Sequence, residues 1–141
     1  MKLTLLFLLL SFISSAQPKK ANTIIVKGVQ FKEVANALLD AGYEIAKSDS
    51  SLGTIKTEYK LGTGELKYVK VSIFVRIKDS VATITGKWYN TIVMNAFASK
   101  FTTEDNESLI VQNTNGGYKL CFQEMNKLAL SFNKPVEYLI K

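Results

Sequence analysis

The sequence predicts an α+β domain: an antiparallel sheet with two helices packed on one face, in the order β-α-β-β-β-β-α. Three observations predict it. Residues 68–78 alternate between apolar and polar side chains, the mark of a strand with one face on a core and one face wet. Residues 30–41 and 118–133 instead repeat their apolar positions at helical spacing. A sheet with one wet face must cover the other, and two amphipathic helices suffice.

The elements follow in order. Thr23 to Lys27 is β-branched and ends at Gly28, a first strand. In Gln30 to Ala41, Phe31, Val34, Ala35, Leu38 and Leu39 share one helical face, and Gly42 is placed to end the helix. A second strand begins over Tyr43 to Lys47, and Ser48 to Ser51 is a turn rich in hydrogen-bonding side chains. Leu52 to Tyr59 is the third strand, with a turn at Gly62-Thr63-Gly64. In the fourth, Val69, Val71, Ile73, Val75 and Ile77 face inward, and Tyr68, Lys70, Ser72, Phe74, Arg76 and Lys78 face out. Lys78-Asp79-Ser80 turns tightly into a fifth strand, Val81 to Tyr89, with Ala82, Ile84, Gly86 and Trp88 inward. Residues 90–117 read as an insertion, in which 91–101 is a helix or a strand and Leu109 to Val111 a short strand. Tyr118, Cys121, Met125, Leu128, Ala129 and Phe132 form the stripe of a long last helix, which Pro135 stops. Val136 to Ile140 is expected as a packed tail.

Ahead of this domain, Lys2, the apolar run Leu3 to Ile13 and the small residues Ser14-Ser15-Ala16 have the layout of a signal peptide cleaved before Gln17. The expected location is therefore periplasmic or secreted. The apolar run falls well short of the roughly 20 residues that span a bilayer, and no later segment is long and apolar enough, so no transmembrane segment is expected. Residues 17–22 read as a disordered leader and residues 23–141 as one domain. Cys121 is the only cysteine, so no thiol stands near the cleavage site for lipid attachment and no internal disulfide can form. Its place in a helical stripe gives it the role of a small buried hydrophobe.

Composition excludes most catalytic chemistry. With no histidine, the chain lacks the commonest general base near neutral pH, the Ser-His-Asp and Cys-His arrangements, and histidine zinc sites. One cysteine permits neither a four-cysteine metal site nor a CxxC pair. Gly62-Thr63-Gly64 lies between strands, without the helix that a phosphate loop needs. Glu104, Asp105 and Glu107 cluster but lack the spacing of an EF-hand loop. No catalytic residue, metal or cofactor is expected, and a hydrolase working by carboxylates alone is the enzymatic reading that remains. The net charge is +6, yet Arg76 is the only arginine among 18 basic residues, and the lysines are scattered among acids. Readers of phosphate and base edges favour the arginine fork, so no specific nucleic acid is expected.

Two surfaces can carry binding. On the outer sheet face, Lys56, Lys70, Arg76 and Lys87 surround Phe74, an aromatic among cations of the kind that anchors interfaces. The alternatives for Phe74 are cover by the 90–117 insertion, or ordinary exposure. Beneath the last helix, Trp88, Tyr118, Met125 and Phe132 can line a cavity for a small apolar ligand, or form a dry core. Two modification patterns stand beside these, Asn106-Glu107-Ser108 for N-glycosylation and Asp79-Ser80-Val81 for O-glycosylation. The expected function is a non-catalytic envelope module that binds a protein or glycan. A carrier of a small apolar ligand is the alternative.

Residues 23–59 carry a strand, a helix ending Ala-Leu-Leu-Asp-Ala-Gly-Tyr-Glu-Ile (Ala37 to Ile45), a polar turn and Leu52-Gly53-Thr54-Ile55-Lys56-Thr57. In these features the chain resembles the domains of the BamC family of outer-membrane-assembly lipoproteins. Its element order also looks like the TATA-box-binding-protein-like (TBP-like) arrangement. The resemblance implies that fold and a role as an interaction module of the bacterial envelope. It departs from the family in having one such domain, an insertion at about 90–117 and no cysteine for a lipid.

Overall fold

The computed structural model describes residues 17–91 and 109–141. The expected signal peptide and residues 92–108 of the expected insertion lie outside the described residues. The elements are β1 (Thr23–Lys27), α1 (Phe31–Asp40), β2 (Ile45–Asp49), β3 (Thr54–Thr57), β4 (Lys60–Leu61), β5 (Val69–Lys78), β6 (Val81–Asn90), β7 (Leu109–Ile110), α2 (Gly116–Ser131) and β8 (Val136–Leu139). A single 3₁₀ turn, Gly64–Leu66, precedes β5. The strands form one antiparallel sheet in the order β2-β3-β5-β6-β1-β8. β4 continues along the β5 edge that β3 occupies, and β7 along the β6 edge that β1 occupies.

The α+β class stands, with more strands than the expected order holds. The expected third strand, Leu52 to Tyr59, shrinks to β3, and the short β4 follows it: Thr57 Oγ1 accepts the Ile73 amide (2.9 Å) and the Thr57 carbonyl accepts from Ser72 Oγ (2.8 Å), so side chains replace the ladder where β3 gives way to β4. The expected tail is a strand, with Ile24 opposite Tyr138 and Val26 opposite Val136. β2 begins two residues later than expected and takes in Ser48 and Asp49 of the expected turn, which Asp49 shapes from the strand's end. Its Oδ1 accepts from the Ser51 amide (2.9 Å), the Ser51 hydroxyl (2.6 Å) and the Leu52 amide (3.1 Å).

Residues 17–22 are docked, which corrects the expectation of a disordered leader. Ala21 is fully buried, and the chain pairs with Asn113: the Asn113 amide donates to the Ala21 carbonyl and the Lys20 amide to the Asn113 carbonyl, each at 2.6 Å. Asn113 Nδ2 also donates to the Pro18 carbonyl (3.1 Å). Those polar residues find hydrogen-bond partners outside their own segment, which composition does not reveal.

The parity of β5 and β6 is as expected. Ile24, Val26, Ile55, Ile73, Val75 and Ile84 are buried in one cluster with Val34 and Leu38 of α1 and Cys121, Phe122 and Met125 of α2. Both helices therefore cover the same face. The β5–β6 turn is two residues, Asp79 and Ser80, both at positive φ (52° and 60°), a twist that suits a tight hairpin. Its Ser80 carbonyl accepts the amides of Gly28 (2.8 Å) and Val29 (3.1 Å), which ties the hairpin to the β1–α1 loop.

Candidate binding face

Residues directly opposite one another in an antiparallel pair share a face. The register therefore settles where the candidate residues stand. Lys56 lies opposite Phe74, and Phe74 opposite Thr85. Arg76 lies opposite Thr54 and Thr83, Lys70 opposite Tyr89, and Lys87 opposite both Ser72 and Ile110. All five, Lys56, Lys70, Phe74, Arg76 and Lys87, are on the face away from the helices. Phe74 is 41% exposed there.

This face is hollowed where β6 changes partner. β1 covers its residues Val81–Ile84, β7 covers Lys87–Trp88, and between them the Gly86 carbonyl accepts the Val111 amide (3.0 Å). Over that seam lies a groove of about 670 Å³, lined by Lys56, Phe74 and Lys87 together with Thr23, Tyr59, Ser72, Thr85 and Ile110. A second hollow of about 390 Å³ lies on the other side of Phe74, lined by Arg76, Lys78, Thr83 and Thr85. Phe74 and Thr85 border both, and Lys141 lies at the edge of each. Lys70 shares the face but borders neither hollow.

Sequence parity did not find Thr23, Tyr59, Ile110 or Lys141. Their places depend on the β1–β6 and β6–β7 pairings and on the break after β3. Tyr59 packs edge-on against Tyr89, with ring centroids 4.9 Å apart.

The charge of the face is one-sided. The outward positions of β3, β5 and β6 carry Lys56, Lys70, Arg76, Lys78 and Lys87 and no carboxylate. On the flanking strands β8 and β2, Glu137 and Asp49 are both engaged. Glu137 pairs with Lys27. Asp49 is half-buried, and its hydrogen bonds, first that of the Ser51 side chain, hold its carboxyl below the usual range. The two ion pairs among the described residues, Lys27–Glu137 and Lys127–Glu124, leave the groove cations out.

The interior residues are placed differently. Trp88, Met125 and Phe132 are buried in the core cluster, and Tyr118 packs edge-on to Trp88 at 5.0 Å. Met125 presses on the sheet: a Cβ on Gly86 would stand 2.7 Å from its sulfur. The Trp88 indole N–H is buried without a partner among the described residues. Of the four, Phe132 borders a cleft of about 580 Å³ between α1 and α2, with Glu33, Asp40, Tyr43, Glu124 and Lys127 around it. Burial, with the nearby Glu124 and Cys121 adding to it, raises the Tyr43 phenol above its ordinary range. The Lys60 ammonium sits 4.8 Å from the Tyr43 ring centroid.

Among the described residues no group of three or more acidic or cysteine side chains is placed to hold a metal, and no helix is long and apolar enough to cross a membrane. Glu104, Asp105, Glu107 and the Asn106 acceptor lie outside the described residues. Ser80 is half-buried, and its hydroxyl accepts from Gln30 Nε2 (3.0 Å). The chain matches no protein-family model and no curated protein.

Proposed function

We propose that the protein is a non-catalytic binding module of the bacterial cell envelope, exported by residues 1–16 and acting in the periplasm or outside the cell. It binds a protein or glycan through the outer face of its sheet. The observation that carries this reading is the grooved, one-sided cationic face around the exposed ring of Phe74. A lone surface aromatic needs no explanation. One that divides two hollows among Lys56, Arg76 and Lys87 has the form of an interface anchor flanked by charge.

The absence of histidine supports a non-catalytic role, as does the single cysteine, whose thiol burial pushes up to about 12. A BamC-like, TBP-like domain is the fold reading that accompanies this function. It rests on the helix ending Ala37 to Ile45 and on the Leu52 to Thr57 turn and strand. The apolar-ligand carrier is the weaker reading, because Met125 is seated against Gly86 where such a ligand would lie.

The test replaces the anchor and its neighbouring cation together, Phe74→Ala with Arg76→Glu. Both side chains are exposed, so the melting temperature should stay within a few degrees, while capture of the envelope partner is lost. Capture that persists in the double variant moves the binding surface elsewhere.

A further inference from the structure

We infer that the outer-face groove is a binding site for an acidic polysaccharide, a chain of pyranose rings bearing carboxylates. The inference rests on the sheet face being the binding surface and names what it binds. Three features of the groove lead to it.

The first is charge. Lys56 and Lys87 stand on β3 and β6, the strands that flank β5. The lateral separation between them is about 10 Å, two strand spacings. Arg76 adds a cation in the second hollow, on the other side of Phe74. Cations spaced along an open groove, rather than gathered at one point, suit a polymer that repeats its negative charge. Three of the four cations around Phe74 are lysines, compact hydrated point charges that pair with carboxylates without demanding the fixed geometry of an arginine fork.

The second is the surface between the cations. Phe74 offers an exposed aromatic ring, and Tyr59 lies in the same groove. Thr23, Ser72 and Thr85 line it with hydroxyls. Ser72 Oγ already donates to the Thr57 carbonyl (2.8 Å), which leaves its lone pairs as acceptors. Aromatic rings beside hydroxyls match a sugar, whose C–H face is apolar and whose rim is hydroxylated.

The third is the backbone. β5 and β6 pair residue for residue from Val69 opposite Asn90 to Lys78 opposite Val81. Their main-chain groups are thus committed to the ladder, and an acidic peptide laid in the groove would gain no strand pairing. Peptide recognition by strand addition needs a free edge. The polysaccharide needs only the side chains.

Affinity electrophoresis of the folded protein, run toward the cathode at physiological salt, tests this. The gels contain polygalacturonate, neutral dextran or poly-L-glutamate. Polygalacturonate should retard the protein and dextran should not. Lys56→Glu with Lys87→Glu should weaken that retardation by about tenfold or more, because both contact cations are reversed. Lys32→Glu with Lys119→Glu makes the same charge change on α1 and α2 and should leave it within about twofold. Phe74→Ala should weaken polygalacturonate binding and leave any poly-L-glutamate binding unchanged. Circular dichroism melts confirm that each variant is folded.

Equal retardation by poly-L-glutamate, with no effect of Phe74→Ala, overturns the polysaccharide and leaves the face as a protein-binding surface. Equal losses in the two charge-reversed variants reduce the interaction to net charge and overturn the groove as well. No retardation by any polymer overturns the polysaccharide, while the sheet-face reading is still judged by partner capture with Phe74→Ala, Arg76→Glu.

Discussion

Gly53 stands where the β2–β3 turn meets β5. Its φ is +66°, and its carbonyl accepts the Ile77 amide at 2.6 Å. A Cβ there would lie 2.0 Å from the Ile77 carbonyl oxygen, a backbone atom that cannot step aside. Gly53→Ala should therefore lower stability by more than about 2 kcal/mol, from left-handed strain plus the clash, as read by urea denaturation. In the sequence, Gly53 is legible only as a glycine at the start of the third strand, just after a polar turn. Its contact with Ile77, 24 positions later, is not, because that contact exists only once β3 pairs with β5. Phe74 is the opposite case. Parity within a single strand puts it outward among cations, and no long-range pairing is needed to see it.

At the scale of elements, α2 shows what a helical stripe leaves out. Cys121, Met125, Leu128, Ala129 and Phe132 are buried as their spacing requires, but so are Phe122 and Asn126, which lie off the stripe. The cause is β8. Its Tyr138 ring covers Phe122 at a centroid distance of 6.1 Å, and its hydroxyl donates to Asn126 Oδ1 at 2.7 Å. The helix is thus buried on a second flank by a strand that reads only as a tail. Val136 to Leu139 is too short for alternation to speak, and its partner β1 lies at the far end of the chain. Tyr138→Phe keeps the ring and removes the donor, leaving the buried Asn126 oxygen unpaired. It should lower stability by about 1 kcal/mol in urea titrations, and Asn126→Leu in the same background should recover some of that loss.

For the whole molecule, the single cysteine means that no internal disulfide staples the sheet to its helices. Stability rests on the core, and two members of that core are ionisable. Burial raises the Cys121 thiol from 9.0 to about 12, with Glu124 adding to it, and raises the Tyr43 phenol above 10.0. In both cases the unfolded chain loses its proton first as pH rises. Their contribution is therefore complete below about pH 9 and is lost as pH climbs through the raised values. The urea midpoint should hold steady from pH 7 to about 9 and fall beyond it, and Cys121→Ser with Tyr43→Phe should flatten that fall. A midpoint that falls equally in the double variant would assign alkaline sensitivity to other groups. The class of fold was legible because amphipathic period and strand parity are local. The place of β1 inside the sheet, between β6 and the edge strand β8, was not, since it depends on pairings between distant segments. The groove was half legible for the same reason: its cations and aromatic follow from parity, its hollow from the seam between β1 and β7.

The pairing of β1 with β8 also decides how this domain bears a load. Thr23 lies opposite Leu139, and just beyond them the Asn22 side chain donates to the Lys141 carbonyl and accepts the Lys141 amide. Force applied at residues 22 and 141 thus pulls apart two neighbouring strands from the same end. Their hydrogen bonds break in succession rather than shearing together. Drawn by those two points, the sheet opens like a zip, and a tether fixed there would release the domain under a light pull.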